Sequence, residues 1–214
     1  MGNYEYLIAC LPVLTADYRY ADGASFRSLT DGIRSQLPGR DAAALDLLLE
    51  GCSAEGLDAD FYARALRHPS RFIREYFRFD LNLRNAKVRY LNHALGRPAG
   101  QDIVSGAAPE GVPADPDGNR FTAGEFEEAP RVEEILSEKD LIRREKGLDD
   151  LTWAKIDELV VFDYFDLDAV LGFVARLHIV DRWLSLDAET GQALFRRLIE
   201  EIRKDGEQIR YDPE

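Results

Sequence analysis

Residues 71–95 read RFIREYFRFDLNLRNAKVRYLNHAL, the longest uninterrupted helical pattern in the chain. Phe72, Tyr76, Phe79 and Leu83 recur at helical spacing on one face, and Ile73, Phe77, Val88, Leu91 and Leu95 widen it. So broad an apolar surface exceeds a coiled-coil seam, and the helix is expected to pack on more than one side. Pro69 is expected in its first turn, where a missing N–H goes unnoticed, and Gly96 and Pro98 should end it. Part of the stretch recurs later. Phe79-Asp80-Leu81-Asn82 reads against Phe165-Asp166-Leu167-Asp168 at an offset of 86 (166 minus 80), which sets Tyr76 on Phe162, Val88 on Val174 and Leu91 on Leu177. The pattern predicts two pseudo-repeated helical units.

Outward from that helix the signals stay helical. Ser25 can cap a helix ending at Leu37, before Pro38-Gly39, and Asp41 can cap the next, which should stop at Gly51. Leu57–His68 forms a third, capped by Asp58 or Asp60. Downstream, Val132–Ser137, Glu138–Lys146 and Leu151–Phe165 read as helices, followed by Asp166–Leu177, with Ile179–Trp183 continuing or briefly breaking it. Asp187 can cap a last amphipathic helix, Ala188–Lys204, striped by Leu194, Leu198 and Ile202. Tyr4–Leu11 suits either a short buried strand or a helical turn, and periodicity does not decide between them. The fold class is therefore all-α, mainly helical, with a possible short N-terminal strand. Residues 1–98 form the N-terminal unit, the Gly/Pro-rich stretch 99–120 a partly mobile loop or linker, and 121–214 a C-terminal unit packed with the first as one globular body.

The formal charge is −13, from 40 acids against 27 bases. A surface this acidic repels nucleic acid and anionic lipid headgroups, which disfavours both as partners. No apolar run approaches the roughly 18–20 residues that span a bilayer. The first residues lack the basic flank of a secretory signal, and Tyr6 stands where a myristoylation pattern wants Ser or Thr. Cys10 and Cys52 read as free thiols of a cytoplasmic protein.

Catalytic signatures are missing. There is no Gly-rich phosphate loop, nucleophile elbow or Cys-x-x-Cys, and the residues three before His68, His93 and His178 are Ala65, Tyr90 and Ala175, so no Glu-x-x-His metal pair exists. Asp115–Asn119 fails as a calcium loop, because Pro113 and Gly124 fall on ligand positions one and twelve. The acids Glu125, Glu127 and Glu128 read as a solvated face. The polar residues that stand out are Asp80, Asn82, Asp166 and Asp168, each set among aromatic and aliphatic neighbours. Near a core they need hydrogen-bond partners, and they are expected to tie helices together, to a neighbour's backbone or to Arg84 or Arg89, rather than to form a site. No catalytic, cofactor-binding or metal residue is assigned.

NYEYLIACLP at the start, FRFDLNLRN in the long helix, and RREKGLDDLTWAKIDEL followed by FDLDAVLGFVARLHIVDRW resemble a bacterial family that occurs with the subunits of V-type ATP synthases. The helical acid–Leu–polar pattern is also similar to the C subunit of those enzymes (subunit d in eukaryotes), although Asn82 stands two places after its acid rather than three. The resemblance implies a non-catalytic helical adaptor between the central rotor shaft and the membrane ring. It would be cytoplasmic, peripheral to the membrane through the complex, with no cofactor and no active site of its own. A transient assembly or regulatory adaptor is the alternative, followed by a carboxylate-based enzyme or cation-binding protein.

Overall fold

The long pattern folds as helix α5, Arg71–Ala94, in a computed structural model that describes residues 4–15, 19–53, 57–104 and 126–185. Ser70, not Pro69, begins it: the Ser70 side chain accepts the Ile73 N–H at 3.3 Å, a cap that proline cannot provide. Leu95 closes the helix and Gly96 follows with φ of 63°, the left-handed turn that glycine adopts without steric cost. Phe72, Ile73, Tyr76, Phe77, Phe79, Leu81, Leu83 and Ala86 are buried, whereas Leu91 and Leu95 lie exposed. The predicted stripe thus holds for four turns and fails at the C-terminal end.

Seven further helices accompany α5 among the described residues: α1 Glu5–Ala9, α2 Phe26–Gln36, α3 Gly39–Cys52, α4 Ala59–Leu66, α6 Ala129–Leu136, α7 Leu141–Val160 and α8 Leu167–Ser185. The described chain contains no strand, so the fold is all-α. Tyr4–Leu11 takes the helical alternative, with its amides bonded locally, Ile8 N–H to the Tyr4 carbonyl at 2.9 Å and Cys10 N–H to that of Tyr6 at 3.2 Å. Ser25 and Ser28 cap α2 reciprocally, Asp58 caps α4, and Asp140 accepts both Ile142 and Arg143 N–H groups to start α7. Asp41 does not cap α3. The helix begins two residues earlier behind Pro38, and the Asp41 carboxylate instead accepts the Tyr4 hydroxyl.

The predicted break between Lys146 and Leu151 is absent, and of the two alternatives at Ile179–Trp183 the continuous one holds. α7 runs through Gly147, where a Cβ would stand 3.0 Å from Ile135 Cγ2, so the missing side chain lets α6 lie close without interrupting the helix. α8 is continuous through Ile179–Trp183. Conversely, α7 stops at Val160, and Val161–Asp166 is a loop rather than helix. Asp187, Ala188–Lys204, Asp115–Asn119 and Glu125 lie outside the described residues.

Side chains from both halves share one core. Leu45, Leu48, Phe61, Tyr62, Phe72, Ile73 and Phe77 pack in one cluster with Ile156, Val170, Leu171, Val174 and Leu177. A second, smaller cluster sets Phe79, Leu83 and Ala86 of α5 against Phe126, Val132, Ile135, Leu136 and Leu148. α5 therefore serves as the spine of both. The start of the 99–120 stretch is fastened to it: Asn85 exchanges two hydrogen bonds with Val104, and the buried Asn92 donates to the Gln101 carbonyl at 2.7 Å.

The pseudo-repeat does not survive in three dimensions. Phe79-Asp80-Leu81-Asn82 lies in mid-helix, while Phe165 and Asp166 belong to a loop and Leu167 and Asp168 to the first turn of α8. Paired positions have opposite environments, Tyr76 buried against exposed Phe162 and Leu91 exposed against buried Leu177. A duplicated unit would bury equivalent positions, because its packing faces would be the same.

Candidate functional site

Asp80 is a half-buried carboxylate in the middle of α5. Its carboxylate accepts the Tyr62 hydroxyl at 2.7 Å and so joins α5 to α4. Burial pushes this carboxyl above its usual range, against the pull of the Tyr62 hydrogen bond and of Arg84 and Lys87. Around it a small polar cavity of about 140 Å³ is lined by Cys52, Tyr76, Lys87, Asp149, Thr152, His178 and Arg182, among others. Burial sets the chemistry here. It raises the Cys52 thiol to about 12, holds the Tyr76 phenol well above its ordinary value, and lowers His178, which Arg182 depresses further. A thiol kept protonated is a poor nucleophile, and the Tyr62–Asp80 hydrogen bond beside the cavity makes it a polar joint between α4 and α5.

Asp149 separates the cavity from a larger groove. It is buried and accepts hydrogen bonds from the Arg182 guanidinium and from Trp183 Nε1–H, the latter at 2.7 Å. The groove, about 770 Å³, is lined among the described residues by Thr15, Arg19, Trp153, Ile179, Val180 and Trp183, with the Lys146–Asp150 ion pair at its edge. Both tryptophans of the chain line it. Its lining divides between apolar side chains and polar or charged ones, so one wall can take an apolar group while Arg19, Lys146, Asp149 and Asp150 offer polar contacts.

The third feature is the loop between α7 and α8, VFDYFD at residues 161–166. Phe162 is 83% exposed, Tyr164 69% and Phe165 50%, and Val161 is also largely exposed. Tyr6, on the neighbouring α1, is 78% exposed. The loop backbone is nevertheless held at several points. Tyr4 N–H donates to the Phe165 carbonyl at 2.7 Å, and Arg71 spans the Leu159 carbonyl at 2.6 Å and the Asp163 carboxylate at 2.9 Å. Asp166 accepts Ala169 N–H at 3.2 Å at the start of α8, and Asp168 accepts the Ser70 hydroxyl at 3.2 Å. Burial and the neighbouring Asp166 carboxylate raise Asp163. Burial also raises Asp168, where Asp166 and Asp163 add to the effect and the Ser70 hydrogen bond opposes it.

The four residues singled out in the sequence are thus dispersed. Asp80 joins α5 to α4, Asn82 is half-buried on α5, and Asp166 and Asp168 sit together at the base of the aromatic loop. Tyr62 donates to Asp80 and Ser70 to Asp168, and the charge of Arg84 also acts on Asp80. Missed from sequence were Tyr62, Asp149, Arg182 and the exposed aromatics. Phe162 and Tyr164 carried a usable signal, since two aromatics alternating with acids continue no apolar helical stripe. Asp149 carried none, because its neighbours Asp150 and Glu145 are chemically similar.

Among the described residues, no three His, Cys, Asp or Glu side chains are grouped to hold a metal ion, and no helix is long and apolar enough to cross a membrane. No curated protein and no solved structure matches the chain. A family model described as a protein of unknown function (DUF2764) matches residues 50–206, from the end of α3 through α8 and beyond. That span covers well over half of the 214 residues, and the chain belongs to this family.

Proposed function

We propose that the protein is a non-catalytic helical adaptor of a V-type ATP synthase, comparable in role to the C subunit and placed between the central shaft and the membrane ring. The observation that carries this reading is the anchored aromatic loop. A soluble monomer gains nothing by fixing Phe162, Tyr164 and Phe165 in water, whereas a protein that docks needs apolar anchors already in position. The sequence blocks that resemble a family occurring with V-type ATP synthase subunits support this choice of complex. A stack of helices around one long spine also suits a part that must pass torque without slipping. On this reading the protein lies at the cytoplasmic face, peripheral to the membrane through its partners, and binds no nucleic acid.

Native co-purification tests the proposal. The tagged chain should bring down the synthase at one copy per complex, and the association should withstand a salt wash. A complex that is intact and complete without the chain would overturn the subunit reading; substoichiometric, loosely held chain would replace it with an assembly or regulatory adaptor. The groove favours a second reading, a protein that binds a small ligand between Trp153 and Trp183. Because both tryptophans line that groove, their emission is a direct monitor. Titration with ATP, ADP and inorganic phosphate would support this reading by a saturable spectral shift and count against it if the spectrum stays constant.

A further inference from the structure

The exposed loop also specifies the chemistry of what it meets. Three aromatic side chains at these exposures present on the order of 400 Å² of surface, taking ~200 Å² for each whole ring, within the ~300–600 Å² of the largest patch on a typical monomer, which is often functional. Their backbone is fixed by Tyr4, Arg71 and the Asp166 cap, so docking would not have to order the loop first. Charge then narrows the partner. Asp163, Asp166 and Asp168 stand at the base of the patch, and Arg71 is the cation that meets Asp163. The patch therefore combines apolar anchors with an excess of negative charge.

We propose that the Val161–Asp166 loop and the start of α8, with Phe162 and Tyr164 foremost, form the docking face for a segment of a partner protein that presents aliphatic side chains flanked by lysine or arginine. The proposal rests on the adaptor reading, and it names the surface by which the adaptor engages its neighbour. A second copy of this chain is a poor occupant because both copies carry a charge of −13. An anionic bilayer is repelled by the same carboxylates that would attract a basic protein segment.

The test places the photo-cross-linker p-benzoylphenylalanine at position 162, with a control at Glu138, in full-length chain made in cells that produce their own V-type ATP synthase. The expected result is a position-162 adduct on one synthase subunit, within a peptide bearing Lys or Arg beside aliphatic residues. Its yield should fall several-fold as salt rises, and the control should not give it. Phe162→Ser with Tyr164→Ser should lower retention on the complex at least tenfold while leaving the unfolding midpoint unchanged. If the chain stays on the synthase but only the control position cross-links, and the double variant is retained, the docking face is wrong and the adaptor reading stands. If position 162 instead marks a basic segment of a protein outside the synthase, the docking face stands and the adaptor reading falls. Adducts only to lipid, to a second copy or to an acidic segment, or no adduct at all, would overturn the proposal.

Discussion

Gly51 offers a sharp test of the packing around the spine. It stands one residue before the end of α3 and lines the polar cavity, and a Cβ built there would lie 2.3 Å from Phe77 Cε1 and Cζ and 2.9 Å from Phe61 Cζ. Ordinary contact begins near 3.4 Å, so a methyl group requires one ring to move by about an ångström. Phe77 has little room to do so: it is buried, edge-on to Phe61 at 5.0 Å between centroids and to Tyr76 at 5.2 Å. Overpacking of this kind costs about 1–3 kcal/mol. Alanine's better helix propensity offsets at most ~1 kcal/mol, and less at a helix end. Gly51→Ala should therefore lose about 2 kcal/mol, or about 4–8 °C of unfolding midpoint for a chain of this size. The matched control is Gly32→Ala in α2, which is exposed and has nothing within 4 Å of its would-be Cβ. There the same substitution should stabilise by about 0.5–1 kcal/mol. Urea and thermal unfolding of both variants give opposite signs on this reasoning. A Gly51→Ala protein as stable as the parent would show that α3 does not approach α5 as closely as described.

Further outcomes follow from the buried polar groups. The Asp80 carboxyl titrates above its ordinary value of 3.8 when folded, so the folded state holds this proton more tightly than the unfolded one, and wild-type stability falls as pH rises through that window. Asp80→Asn has no such ionisation, and its stability relative to wild type should improve from acid towards neutral pH; a relative loss over that range would refute the assignment. Cys10 is exposed while the Cys52 thiol is pushed up to about 12, so a thiol reagent should modify one cysteine promptly and the second only on unfolding. Equal rates would contradict that difference. Asp149→Ala removes the acceptor of Arg182 and Trp183, and the stranded indole N–H and guanidinium should cost about 1–3 kcal/mol, with a visible change in tryptophan emission. An unchanged unfolding midpoint would show that water replaces the carboxylate there.

Local signals located the helices well where one residue's chemistry was sufficient. Ser25 and Asp58 cap as their types require, and Phe72, Tyr76, Phe79 and Leu83 mark the buried side of α5 from spacing alone. Signals failed where a distant residue took over the same group. Asp41 is a plausible cap until Tyr4 claims its carboxylate, and Gly147 is a plausible helix end until Ile135 fills the space beside it. The candidate site was less legible than the fold. Asp80 stood out because it interrupts an aromatic stripe, but its hydroxyl partner at position 62 lies 18 residues away across a helix junction.

The sequence by itself determined that this is an acidic, all-α protein built on one long helix, because side-chain periodicity and caps act within a few residues of one another. Only the tertiary structure decided that Phe79 would be buried and Phe165 left in water, although both precede the same acid–leucine pair. The physical reason is that burial is a property of the surface brought alongside. α5 is covered by α4, α6, α7 and α8, whereas the turn after α7 faces outward, held by Tyr4 and Arg71 with its aromatic side chains uncovered.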